Sequence, residues 1–274
     1  MGSMTDDLLL SSVHNPKIKN LLALQQKSAE RRRQGRFVVE GRREVQHCIE
    51  AGYEVESIFV LSSMPEALPA FPPTCSPLCY TVTPQVYERI AYRGSTEGVV
   101  AVVKARNLRL ADLRLSNSPL VVVLERVEKP GNLGAVLRSA DAAGADAVVV
   151  CDPLTDLYNP NLIRSSIGAL FTVPTVACSS EECIAFFREH GIRILTAQLQ
   201  DSSLYYDTPM TGGTAIVMGT ESTGLTQQWR EAADAHIRIP MLGRLDSLNV
   251  SVSAAILLFE AVRQRQRQAA ATEG

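Results

Sequence analysis

The part of the sequence after residue 118 alternates short apolar runs with helical patterns, which limits it to an α/β fold. The runs are continuous and rich in valine, as is typical of parallel strands buried on both faces. Strand and helix patterns that alternate in this way predict a doubly wound parallel sheet. The predicted strands cover residues 120–124, 147–151, 192–197, 214–218 and 236–239, and the predicted helices cover 133–143, 160–170, 181–189, 226–233 and 250–267.

The first part of the sequence predicts a second, smaller α/β domain. Prolines between residues 65 and 77 exclude a long helix there. Helices are expected over residues 20–34, 43–51 and 83–90, with strands over 37–41, 58–61 and 98–104. The chain is therefore divided into a typical cloning scar (1–4), a small domain (5–116) and a larger one (117–274).

Composition excludes several classes of protein. At 46% hydrophobic and 20% charged, the chain is neither disordered nor fibrous. Its longest apolar run, residues 254–259, is far shorter than the roughly 18 residues of a membrane helix. We therefore expect a soluble, cytoplasmic protein with no membrane partner. The six cysteines form no C-x-x-C pair and the four histidines are scattered, so we expect reduced core thiols and no metal site.

The charge is unevenly distributed. The net charge is only −2, yet nine basic and two acidic residues lie between residues 14 and 43. Such a basic segment can neutralise phosphates locally, because the attraction is screened beyond about 10 Å. A solvated helix face is the alternative interpretation.

Three segments each join a predicted strand end to a helix start, where open α/β sheets bind their ligands. The first covers 125–138 and contains a Pro130-Gly131 turn, then Asn132 as a predicted helix cap, and Arg138 two turns later. The others, 217–225 and 239–253, carry glycines that let backbone amides approach a ligand closely. A nicotinamide-dependent enzyme is disfavoured because the G-x-G-x-x-G pattern is absent.

Together these segments resemble a known family. The first matches N-x-G-x-x-x-R at Asn132, Gly134 and Arg138, and the second matches G-x-E-x-x-G from Gly219 to Gly224. The third is I-P-M-x-G-x-x-x-S-L-N-V-S-V over 239–252. These motifs resemble those of the SpoU/TrmH-type RNA 2′-O-ribose methyltransferases of the SPOUT superfamily. The front part, with R-F-V-V-E-G at 36–41, resembles an L30e-like RNA substrate-binding domain.

The resemblance implies a fold, a cofactor and an assembly. The fold is an α/β domain with a deep trefoil knot, preceded by the small L30e-like α/β domain. The cofactor is S-adenosylmethionine, held in the knot, and the assembly is a homodimer with its active site at or near the subunit interface. The cofactor-binding residues implied are Leu195, Thr196, Ala197, Gly219, Ile239, Met241 and Leu248.

The implied reaction is methyl transfer to a ribose 2′-hydroxyl, of ribosomal RNA in preference to transfer RNA. Arg138 is the expected catalytic residue, either as a general base or, because a guanidinium hardly ever deprotonates, as an electrostatic stabiliser. A non-catalytic RNA-binding assembly factor of the same fold is the alternative. The other catalytic residues implied are Asn132, Glu221, Ser247 and Asn249, and the basic arm predicts RNA contacts by Lys17, Lys19, Arg31, Arg32, Arg33 and Arg36.

Overall fold

The computed structural model describes residues 9–73, 75–92, 97–220, 223–244 and 246–272. The chain forms two compact units, Met1–Arg106 with Tyr158–Phe171 and Asn107–Leu157 with Thr172–Gly274. The predicted division kept all of 117–274 together, whereas segment 158–171 lies in the first unit. Aromatic packing accounts for this difference, because the Phe37 ring stacks on Tyr158 at 4.2 Å and on Phe171 at 6.1 Å.

The first unit contains a mixed five-stranded sheet in the order β1-β4-β3-β5-β2. Strand β5 is antiparallel to its neighbours β2 and β3, and the other pairs are parallel. The elements are β1 (Leu9–Leu10), α1 (Pro16–Gln26), α2 (Ser28–Gln34), β2 (Arg36–Glu40), α3 (Arg42–Glu50), β3 (Val55–Leu61), β4 (Leu78–Val82), α4 (Pro84–Ile90) and β5 (Val99–Lys104).

One prediction for this unit is wrong, and two strands of its sheet were not predicted. The single helix predicted over 20–34 is two helices, because Lys27 adopts an extended conformation (φ −119°, ψ 111°) between them. Strand β4 was not predicted, since it follows directly on the proline-rich stretch, and neither was β1, which has only two residues. The remaining predicted elements are present, with ends that shift by at most three residues.

The second unit contains a seven-stranded sheet in the order β10-β12-β9-β11-β6-β7-β8. Every strand pair in it is parallel, which confirms the predicted parallel sheet. The elements from here on are β6 (Leu120–Glu125), α5 (Pro130–Ala142), β7 (Ala147–Cys151), α6 (Pro160–Ser166), α7 (Ala169–Thr172), β8 (Thr175–Cys178), α8 (Ser180–Glu189), β9 (Arg193–Ala197), β10 (Ser203–Leu204), β11 (Thr214–Met218), α9 (Gln227–Ala232), β12 (Ala235–Arg238) and α10 (Val250–Thr272).

Helices cover both faces of this sheet. On one face α8 and α9 pack on β7 and β9, where Phe187 and Trp229 are fully buried in the core. On the other face α5 and α10 pack against each other and on β7 and β11. No helix in the described part of the chain is long and apolar enough to cross a membrane.

Two local predictions in this half of the sequence are also wrong. The helix predicted over 160–170 is interrupted at Ile167 (φ +54°) and Gly168 (φ +84°), so that α6 and α7 are separate. Asn132 does not cap α5, because the helix already begins at Pro130 and its N-cap residue is Lys129. Asn132 therefore lies in the first turn, and its side chain accepts a hydrogen bond from Asn249.

Candidate active site

A cavity of about 390 Å³ lies at the carboxyl ends of β9, β11 and β12, three adjacent parallel strands of the second unit. This is the edge where ligands bind in open parallel sheets, and the volume lies in the roughly 300–1,000 Å³ range of small-molecule sites. The segment after β12 closes the cavity. The apolar side chains that line it include Ala197, Leu199, Met218, Leu225, Ile237, Ile239, Met241 and Leu248.

Glycines let the loop after β11 close tightly on itself. The amides of Thr220 and Gly224 each donate to the other residue's carbonyl oxygen, at 3.3 and 3.0 Å. A Cβ atom on Gly219 would overlap the carbonyl group of Gly224. Gly224 itself has a φ of +67°, which favours glycine. Because of these two glycines, the backbone of the loop itself can line this side of the cavity.

The polar groups of the cavity suit a ligand that carries donors and charges. The side-chain oxygen Oε1 of Gln198 is buried and has no hydrogen-bond partner among the described residues. An unpaired buried acceptor is costly, so this atom suits a ligand donor. Arg230, Arg238 and Asp246 also line the cavity and supply charges of both signs.

A smaller cavity of about 130 Å³ adjoins the first and shares Gly219, Thr220 and Val250 with it. Asn132 lines this second cavity, and its Oδ1 accepts a hydrogen bond from Nδ2 of Asn249 at 3.2 Å. Oδ1 of Asn249 in turn accepts from the amide of Ser251 at 2.9 Å. The start of α10 is thereby linked to the start of α5.

Glu125, at the end of β6, is a functional candidate that the sequence analysis missed. Its side chain is buried and accepts hydrogen bonds from the amide of Thr226 at 2.9 Å and from its hydroxyl at 2.7 Å. Glu125 also lines the smaller cavity, so it connects this cavity to the end of the β11 loop. A charged residue directly after an apolar run, here Leu120–Leu124, is the signal that could have identified it.

The structure brings most of the predicted site residues together. Ala197, Gly219, Ile239, Met241 and Leu248, all predicted to bind the cofactor, line the larger cavity together with Ser247. Two others do not line it. Leu195 is buried within β9, and the Thr196 hydroxyl forms a 2.6 Å hydrogen bond with Nδ1 of His236.

The remaining predicted catalytic residues are placed differently. Arg138 is exposed on α5 and lines neither cavity. Glu221 lies outside the described residues, so its predicted role stays a prediction. Of the two polar motif residues of the first segment, Asn132 therefore lines a cavity and Arg138 does not.

The predicted RNA-binding residues of the first unit fall into two groups. Arg31 does not fit the prediction: it is only 5% exposed, and its guanidinium donates to the carbonyl oxygens of Leu24 and Gln25 at 2.6 and 3.1 Å. Its position on the inner side of α2 causes this burial. The other residues are at least partly exposed, although Arg33 pairs with Glu30 and Arg36 with Glu56; they are Lys17, Lys19, Arg32, Arg33 and Arg36.

Two segments of the chain match known protein families. Residues 119–259, which include both cavities, match the SpoU rRNA methylase family. The chain belongs to this family. Residues 15–101 match the MRM3-like substrate binding domain, which covers most of the first unit. The resemblance inferred from the three motifs is thereby confirmed.

The chain is also similar to named proteins and to solved structures. The chain is 29% identical to the 23S rRNA (guanosine(2553)-2′-O)-methyltransferase RlmP of Bacillus subtilis, over 91% of this chain and 97% of that protein. It is 40% identical to the 23S rRNA (guanosine-2′-O-)-methyltransferase RlmB of Vibrio vulnificus, over 64% and 73% respectively. The crystal structure of an AdoMet-bound rRNA methyltransferase from Sinorhizobium meliloti has a TM-score of 0.86 and 29% identity, over 93% of this chain and 97% of that one.

Proposed function

We propose that this protein transfers a methyl group from S-adenosylmethionine to a ribose 2′-hydroxyl of ribosomal RNA in the cytoplasm. The observation that carries the proposal is the pair of adjoining cavities, to which all three motif segments contribute. Membership of the SpoU rRNA methylase family supports the reaction class. The names of the Bacillus and Vibrio relatives support ribosomal RNA as the substrate in preference to transfer RNA.

The larger cavity is the proposed cofactor site. Backbone groups around Ala197, Gly219 and Ile239 would hold the adenosine part, and Oε1 of Gln198 offers an unpaired acceptor for one of its donors. Met241 and Leu248 would cover it with apolar surface. S-adenosylmethionine supplies an electrophilic methyl group. The trefoil knot implied by the resemblance belongs to this proposal, with segment 239–250 as its threaded part.

The protein's own residues must position the ribose and stabilise the developing charge on its oxygen. A hydroxyl is a poor nucleophile at neutral pH, so alignment and electrostatic stabilisation dominate the rate. Asn132 and Asn249, joined by their hydrogen bond, would orient the ribose beside the smaller cavity. Arg138 would bind the adjacent phosphate as a cation, because its guanidinium does not readily give up a proton. Ser247 and Glu221 are the further proposed catalytic residues.

We propose that the active protein is a homodimer. Arg138 is exposed on α5, and the neighbouring α10 exposes Val252 and Phe259 at 47% and 48%. These two residues are seven positions apart and therefore lie on one helix face. A second copy packed on this face would cover the apolar side chains and place Arg138 at the subunit interface, near an active site.

The first unit is the proposed RNA-binding part, of the L30e-like type. Its exposed basic side chains, Lys17, Lys19 and Arg32, can contact phosphates without reading a base sequence. Such contacts would position a folded RNA. Replacing Lys19 and Arg32 by glutamate should weaken RNA binding and flatten its dependence on salt concentration.

The deciding experiment maps ribose methylation in total RNA from a strain that lacks this protein. We expect one or more 2′-O-methyl groups to disappear from ribosomal RNA and to return when purified protein and S-adenosylmethionine are added. Loss from transfer RNA instead would refute the ribosomal substrate. An unchanged methylation pattern, together with RNA binding and no binding of labelled cofactor, would favour the non-catalytic assembly factor.

A further inference from the structure

Three cysteines that are far apart in the sequence come together at one edge of the second unit's sheet. Cys151 ends β7 and Cys178 ends β8, and these two residues are paired in register on adjacent parallel strands. Cys183 lies in α8, which starts two residues after β8. The three Sγ atoms all lie within 4.8 Å of one another. The cluster is outside both cavities described above.

We propose that Cys151, Cys178 and Cys183 form a binding site for one soft d10 metal ion, of which Zn²⁺ and Cu⁺ are the physiological examples. Thiolate sulfur is the ligand that such ions prefer. In a zinc-thiolate site the Zn–S distance is about 2.3 Å, which puts the sulfurs about 3.8 Å apart. The sulfurs here need to approach by less than about 1 Å to reach that spacing.

The electrostatics of the cluster favour a cation. Asp152 directly follows Cys151 in the chain, and Glu182 directly precedes Cys183. The carboxylates of Asp152 and Glu182 lie close enough to act on Cys178. A bound cation would neutralise this concentration of negative charge.

The surrounding residues hold the ligands in place. The side chain of Ser180 donates to Asp152 at 2.6 Å and accepts from Nε1 of the buried Trp229 at 2.9 Å. Ser179 and Glu182 form a capping box that fixes the first turn of α8. Cys178 is partly exposed, so an ion can reach the cluster from solvent. Supporting contacts of this kind tune metal affinity in known sites.

The test titrates the full, reduced chain with Cd²⁺ under anaerobic conditions and follows the thiolate-to-metal absorption. Cys75→Ser/Cys79→Ser serves as the background, because it removes the partly exposed thiols of the first unit. We expect one Cd²⁺ per chain, a raised melting temperature and the release of protons from the thiols at pH 7. Competition with Zn²⁺ and with Cu⁺ then identifies which ion binds more tightly.

Adding Cys178→Ser to this background should weaken Cd²⁺ binding by more than the roughly 10-fold that loss of a supporting residue causes. Cys178 is partly exposed, so this variant should fold, and circular dichroism checks that it does. The proposal is overturned if the background protein binds no Cd²⁺ or if the Cys178→Ser variant binds as tightly as the background. None of these measurements depends on RNA methylation. A failure of the metal-site proposal can therefore be distinguished from a failure of the proposed function.

Discussion

Arg31 stabilises the junction between α1 and α2. Its buried guanidinium donates to two carbonyl oxygens at the end of α1, and hydrogen bonds from a charged group contribute about 1.5–3 kcal/mol. Arg31→Ala should therefore lower the free energy of unfolding by about that amount in urea denaturation. Arg32→Ala, at the exposed neighbouring position, should change it by no more than about 0.5 kcal/mol. Equal effects of the two substitutions would contradict this role for Arg31.

Arg138 is expected to act on the reaction and not on cofactor binding, because it lies outside the larger cavity. Arg138→Ala should leave the Kd for S-adenosylmethionine unchanged and reduce the methylation rate at least about 100-fold, as loss of one stabilising donor does. Arg138→Lys should recover only part of the rate, since an ammonium cannot form the bidentate contact to phosphate. Arg188→Ala, at an exposed position on α8, is the control. A rate near wild type for Arg138→Ala would refute the assignment.

Single residues were predictable where a motif marked them and not where packing decides their role. The sequence predicted that Gly219, Ile239 and Leu248 belong to one site, and all three line one cavity. It did not predict that Arg31 is buried among other arginines, because charge counts contain no information on which side of a helix faces the core. Glu125 was overlooked because its partner, Thr226, is 101 residues away in the sequence.

The loop after β11 can close only with glycine at position 219. A Cβ atom there would force the Gly224 carbonyl away, and overpacking of this kind costs about 1–3 kcal/mol. Gly219→Ala should therefore weaken S-adenosylmethionine binding by about 5- to 100-fold in isothermal titration calorimetry. Gly212→Ala is the matched control, because a Cβ atom at that position meets nothing within 4 Å. Unchanged affinity in Gly219→Ala would mean that this loop does not shape the cofactor site.

At the scale of elements, the sequence predicted the buried strands best. Valine-rich runs such as Ala147–Cys151 and Thr214–Met218 were predicted with their observed ends, because burial on both faces demands an uninterrupted apolar run. In the seven-stranded sheet it missed β8 and β10, which have only four and two residues and lie at the edges, where burial imposes less pattern. The break at Lys27 was also missed, since no proline or glycine marks it.

At the scale of the whole chain, parallel topology explains why distant segments converge. The carboxyl ends of parallel strands share one edge, so segments after β9, β11 and β12 had to lie near one another once the sheet was predicted. Strand order was not predictable in the same way. The sequence gives no sign that β8 lies beside β7, and for that reason the approach of Cys151 to Cys178 and Cys183 was not anticipated.

The last prediction concerns the proposed homodimer. Phe259 is 48% exposed on α10, and an aspartate there would place an unpaired charge in the middle of the proposed interface. Phe259→Asp should shift the protein from dimer to monomer in analytical ultracentrifugation and reduce methylation in parallel. Leu78→Asp is the control, because Leu78 is a comparably exposed apolar residue (59%) in β4 of the first unit and should leave the dimer intact. If wild-type protein sediments as a monomer and is fully active, Arg138 has to reach the ribose within one chain, and the exposed face of α10 needs another explanation.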